Sequence, residues 1–149
     1  MEWRKARPYL ISGRLSDVLA MIQVLSLSPK TKRSNEGIVL ELRESPQSAK
    51  DWIAIGREHR EFFRVVERDD GANVALIARN SQEGEENENG NTVKPILSPE
   101  MTAKLMDMAA DLHDRQYQQS QSWKTIFLPI LISVVAAVSS IAAAVVKGH

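Results

Sequence analysis

The chain has 149 residues, with 19 Lys and Arg balanced by 19 Asp and Glu, and no cysteine. The absence of cysteine excludes disulfides, thiol catalysis and cysteine-ligated zinc, and fits a reducing compartment. The charge is unevenly spread: residues 1–80 carry 14 Lys/Arg against 11 Asp/Glu, and residues 81–100 carry five Glu and one Lys.

The N-terminal MEWRKARPYL is charged and has no apolar run, so no signal peptide is expected. Leu15, Val18, Leu19, Ile22 and Leu25 then fall at helical spacing, which predicts a first helix over residues 14–27. Ser28-Pro29 ends it, and the polar run 30–36 reads as a loop. Residues 37–43 are ambiguous: Ile38, Leu40 and Leu42 alternate as in a strand, and a short helix suits them nearly as well. Ser48 is placed to cap a second helix, with Asp51 favoured by its positive N-terminus. Ala49, Trp52, Ile53, Gly56, His59 and Phe63 line one face of that helix. Two β-rich runs follow, 63–68 and 73–79, joined by Asp69-Asp70-Gly71-Ala72, a strong hairpin signal. Helix, intervening segment, helix and two-stranded ribbon is the order of a winged helix, so an α+β head over residues 1–80 is expected. A small α+β domain of other topology is the competitor.

Residues 80–91, NSQEGEENENGN, have no apolar side chain and cannot support a core, so 81–97 reads as an acidic flexible linker. Ser98-Pro99-Glu100 is a helix start, combining a capping side chain, Pro at the first position and an acid in the first turn. It opens an amphipathic stalk over 98–122, on which Met101, Leu105, Met108 and Leu112 repeat at 4, 3, 4 spacing. Such a stripe either seams a coiled coil or packs on the head. The long helix is expected to continue into residues 126–146, IFLPILISVVAAVSSIAAAVV, 21 residues without a charge. At ~1.5 Å per residue they span about 31 Å, the thickness of a bilayer's hydrocarbon core. Trp123 and Lys124 at one end and Lys147 at the other sit where interfacial anchors are expected. Residues 123–149 are therefore read as a single C-terminal transmembrane anchor, with the head in the cytosol. Within it Ser133, Ala137, Ser140 and Ala144 share one face, and small residues let helix backbones approach and associate.

The segments RPYLISGRLSDVLAMIQVL (residues 7–25) and DWIAIGREHREFFRVVERDDGANVALIAR (residues 51–79), followed by a C-terminal span, resemble a group of small bacterial membrane proteins. Those proteins have a Glu-His-Pro-Glu-Phe-Phe-Arg type motif, here Glu58-His59-Arg60-Glu61-Phe62-Phe63-Arg64. The resemblance implies a winged-helix-like cytosolic head and a transmembrane helix, and it implies no activity and no site residues. Arg60 stands where the motif has Pro, which leaves the second helix free to run one turn further.

His59, between Glu58 and Glu61, is the tempting catalytic residue. The head holds no second His to build a metal cluster or a nucleophile triad, so a packed, hydrogen-bonded His is expected. His113 and His149 read as inert, and Asp69-Asp70 as turn chemistry rather than a metal site. Trp52, Phe62 and Phe63 read as core rather than a stacking platform. With no phosphate loop, nucleophile elbow or His-x-x-x-His pair, the chain reads as a non-enzyme without cofactor or metal. Lys50, Arg57, Arg60 and Arg64 on the second helix, with Arg68 or Arg79 on the wing, are the candidates for nucleic-acid or partner contact. Asp51, Glu58 and Glu61 on the same helix oppose phosphate, and the net +3 of residues 1–80 is weak for a DNA binder. The leading expectation is a tail-anchored adaptor or scaffold at the cytoplasmic membrane, binding lipid through its anchor and a protein partner through its head, as a homo-oligomer. The alternatives are a membrane-tethered DNA-binding regulator and a membrane-perturbing effector of a bacterial defence or toxin system.

Overall fold

A computed structural model describes residues 8–69, 71–86 and 92–121. They fall into two compact units that divide between His113 and Asp114. The first unit is α+β, helices packed on a three-stranded antiparallel sheet. A 3-10 turn at Pro8–Leu10 leads into α1 (Arg14–Leu27), β1 (Lys32–Ser34), α2 (Asn35–Leu42) and α3 (Trp52–Glu58). Then come β2 (Phe63–Arg68), β3 (Gly71–Leu76) and the single turn α4 (Ile77–Asn80). The strand order is β1-β3-β2. A second, minimal ladder pairs β4 (Glu85–Glu86) with β5 (Thr92–Val93). Residues 99–121 are helical, those up to 113 belonging to the first unit.

α1 forms where the apolar spacing places it, and Val18, Met21, Ile22 and Leu25 become fully buried. Against them pack Ile38 of α2, Trp52 and Ile55 of α3, Phe62, Phe63, and Val74 and Leu76 of β3. Each such side chain contributes about 1.5–3 kcal/mol through removal from water, the main force holding so small a sheet to its helices. Trp52, Phe62 and Phe63 are core residues, as expected.

Four local expectations are corrected, and one ambiguity is resolved. The polar run 30–36 is not all loop, because residues 32–34 pair with β3, Lys32 opposite Ala75 and Ser34 opposite Asn73. Only backbone groups make this edge ladder, so side-chain pattern gives no sign of it. The ambiguous stretch resolves as helix up to Leu42, because Ser34 Oγ accepts the Gly37 amide at 3.2 Å and so starts α2 at Asn35. Ser48 does not cap α3. Its hydroxyl and amide are held by Asp17 and its hydroxyl also by Arg14, and Asp51 caps instead, accepting the Ala54 amide at 2.7 Å. Nor does α3 continue past the motif's Arg60. It stops at Glu58, and the amides of Phe62 and Phe63 turn back to the His59 carbonyl at 3.1 and 3.0 Å, which swings both rings into the core. Finally, the second hairpin strand ends at Leu76 rather than 79, and the strands pair through to Arg68 and Gly71, a tighter turn than expected. Gly71 has φ 132°, a conformation that disfavours any side chain.

The first unit does not end at residue 80. Leu97 is buried in the core, its amide donates to the Ser26 carbonyl at 3.1 Å, and Ser98 caps the helix that follows by accepting the Met101 amide at 3.2 Å. On that helix Ala109 is fully buried, with Leu105, Met106 and Leu112 packed against the core, whereas Met101 and Met108 face outward. Half of the predicted stripe thus packs on the head. The second unit is helical over its described residues 114–121, where Gln121 Nε2 donates to the Tyr117 hydroxyl at 3.0 Å. Trp123, Lys124, Ser133, Ala137, Ser140, Ala144 and Lys147 lie outside the described residues, as does the run 126–146. Among the described residues no helix is long and apolar enough to cross a membrane.

Candidate partner-binding cleft

The tight passage from α3 into β2 brings three of the four basic candidates together. A cleft of about 630 Å³ opens there, with Arg57, Arg60 and Arg64 around it. Phe63, Val65 and Ile77 supply apolar walls, and Gly56 lies beneath. Arg57 reaches across to Glu67 on β2, Nη2 to Oε1 at 2.7 Å, and that hydrogen bond and charge hold its guanidinium above the ordinary arginine value. Arg60 folds back to donate from Nε to the Arg57 carbonyl at 3.2 Å, and Arg64 makes no ion pair among the described residues. All three side chains are exposed. Lys50 is not part of this assembly: it lies before α3, 3.7 Å from Asp51.

The cleft depends on glycine. A Cβ at Gly56 would stand 2.9 Å from Val74 Cγ2 and 3.1 Å from Val65 Cγ2, so α3 approaches the hairpin this closely only without a side chain there. The buried side of α3 has a further consequence. Trp52, Ile53, Ile55 and Gly56 all face the core, leaving Ala54, Arg57 and Glu58 as the less buried positions of a seven-residue helix. A helix that reads the DNA major groove must present a row of exposed side chains.

Arg79 is not a wing residue. It is 1% exposed, and its guanidinium donates to the carbonyls of Leu25 (3.0 Å), Lys94 (3.0 Å), Pro95 (2.9 Å) and Ser28. One side chain therefore ties the C-terminus of α1, where carbonyls are unpaired and the helix dipole is negative, to the segment entering Leu97. Sequence reading missed this role. The available signal was an arginine inside the apolar run ALIARN. The side chain of Arg68 lies outside those described.

A second polar assembly surrounds His59, which is completely buried. Its Nδ1 is 3.0 Å from Glu61 Oε1, and the Tyr9 hydroxyl donates to the same oxygen at 2.9 Å. The Tyr9 ring meets His59 edge-on at 4.4 Å and His113 at 6.5 Å. Burial works against the Glu61 charge, yet hydrogen bonds from His59, its own backbone and Tyr9 hold its carboxyl below the usual range. An ionised carboxylate only accepts, which places the His59 proton on Nδ1. Burial, and then the Glu61 charge, push the Tyr9 phenol well above its ordinary value. Beside it Arg14, 1% exposed, donates to Ser48 Oγ at 2.8 Å and to the Ser48 carbonyl at 2.9 Å and pairs with Glu58. These groups pin the 3-10 turn and the 43–51 connection. Among the described residues no three His, Asp or Glu side chains converge to hold a metal ion.

Compared with models of protein families, with curated proteins and with solved structures, the chain matches none.

Proposed function

We propose that this chain is a tail-anchored adaptor of the cytoplasmic membrane, whose winged-helix-like head docks a protein partner in the arginine-rimmed cleft. The order α1-β1-α2-α3-β2-β3 with strands β1-β3-β2 supports the winged-helix reading. The uncharged run 126–146 supports the anchor. The observation that carries the function is the cleft itself, an exposed cationic rim over apolar walls. A fold alone does not assign a role. Here the buried face of α3 argues against DNA reading, and the cleft favours a protein surface. Holding such a head on a membrane raises its effective concentration toward a partner in the same plane, so weak docking suffices without catalysis.

The test places a photo-crosslinking amino acid at position 60 in the full-length chain, with a control at the exposed Leu40 of α2. A discrete protein adduct from position 60, absent from position 40 and found in carbonate-washed membranes, is the expected result. Recovery of the full-length chain in the soluble fraction without detergent, or no adduct specific to position 60, would defeat the reading.

A further inference from the structure

The cleft also specifies its ligand, and this inference rests on the adaptor reading above. We propose that the cleft takes an acidic segment of a partner protein, with carboxylates on Arg60 and Arg64 and one apolar side chain inserted between Val65 and Ile77.

Charge chooses the sign. Three guanidinium groups border the cleft and one carboxylate, Glu67, faces them. Arg57 is already engaged by Glu67, so Arg60 and Arg64 are the cations left for a ligand. Guanidinium groups take carboxylates bidentately, which fixes orientation as well as sign. The Arg57–Glu67 pair is itself exposed, and exposed pairs contribute little, so a ligand carboxylate can replace Glu67 at small cost.

The apolar wall chooses the class. Ile77 is 40% exposed although it sits beside arginines, and Phe63 and Val65 extend its surface inward. A phosphate backbone carries no apolar group to cover that wall and would leave it wet. A bilayer surface is flat and cannot enter a concavity of about 630 Å³. A peptide with one large apolar side chain among carboxylates fills the wall and meets the rim together.

The test uses the full-length chain in detergent micelles and fluorescence anisotropy. The probe is a labelled synthetic peptide of Glu and Asp with a single central Phe. The comparison peptide is residues 80–91 of this chain, NSQEGEENENGN, which is acidic and lacks any apolar residue. Binding of the Phe peptide is expected, at least about tenfold tighter than of the comparison peptide. Arg60→Gln with Arg64→Gln should weaken it about tenfold or more, Ile77→Ser several-fold, and Lys50→Gln not at all. Thermal melts matching the parent chain establish that the variants fold. Equal binding of both peptides, or no binding of either, overturns the proposal. So does tighter binding of duplex DNA or phosphatidylserine vesicles that the same double substitution abolishes. If the peptide fails while the crosslink from position 60 persists, the ligand chemistry is wrong and the adaptor stands. If the crosslink is also absent, the adaptor reading falls with it.

Discussion

At the scale of single residues, buried charge does the organising. Arg79 and Arg14 are each 1% exposed, and the two solve burial differently. Arg14 pairs with Glu58 and Ser48, joining α1 to the end of α3. Arg79 donates to backbone carbonyls from two separate segments. Its loss would leave several buried acceptors without donors, each costing about 1–3 kcal/mol. Arg79→Met should therefore destabilise the first unit by about 3 kcal/mol or more, and Arg79→Lys should recover only part of it, since an ammonium cannot span the same fork. Denaturant unfolding followed by circular dichroism measures both. An Arg79→Lys chain as stable as the parent would mean that the fork geometry is irrelevant.

At the scale of elements, the joint between head and C-terminal helix rests on residues 94–98. Leu97 puts its side chain in the core and its amide on Ser26, Lys94 and Pro95 offer carbonyls to Arg79, and Ser98 starts the next helix. Leu97→Ala removes the buried side chain and leaves the backbone contacts possible. It should cost about 2–5 kcal/mol, the range for a large-to-small core change. Limited proteolysis should then cut first between the head and residue 99, since this segment loses its apolar hold. Unchanged stability together with an unchanged cleavage pattern would show that Arg79 alone secures the joint. The packing of Leu105, Ala109 and Leu112 also explains why the 4, 3, 4 stripe is half exposed. The seam that packs shares Leu105 and Leu112 with it and adds Thr102, Met106 and Ala109 in place of Met101 and Met108.

At the scale of the whole molecule, the proposed adaptor has a docking head, a helix leaving it and an anchor. In this proposal oligomerisation is assigned to the anchor, because Ser133, Ala137, Ser140 and Ala144 would share one face of a spanning helix. In lipid no hydrophobic force drives helices together, so close backbone approach at small residues carries association. Replacing Ala137 and Ser140 by Leu should weaken self-association in bilayers, whereas replacing Val138 and Ile141 by Leu should leave it unchanged. Crosslinking of the full-length chain reads the difference. A strictly monomeric parent chain, or equal loss in both variants, would remove the oligomer from the proposal.

The sequence by itself determined the place of α1, the existence of the hairpin and its first strand, the burial of Trp52, Phe62 and Phe63 and the start of the helix at Ser98. Each of these is written in local terms: apolar period, turn chemistry or a capping side chain. It also held three of the arginines of the cleft, as charges on one stretch of chain, without showing that they surround a concavity. Tertiary structure alone decided what depends on contacts between distant positions. β1 exists because β3 offers it a backbone ladder. Asp51 caps α3 because Asp17 and Arg14 have taken Ser48. Arg79 is buried and Arg64 exposed because the chain turns helical at Ile77 and carries one to the end of α1 while β2 leaves the other on the rim. An arginine's sequence neighbours specify its charge, but only the carbonyls or carboxylates brought to it by the fold decide whether that charge holds the structure together or faces a partner.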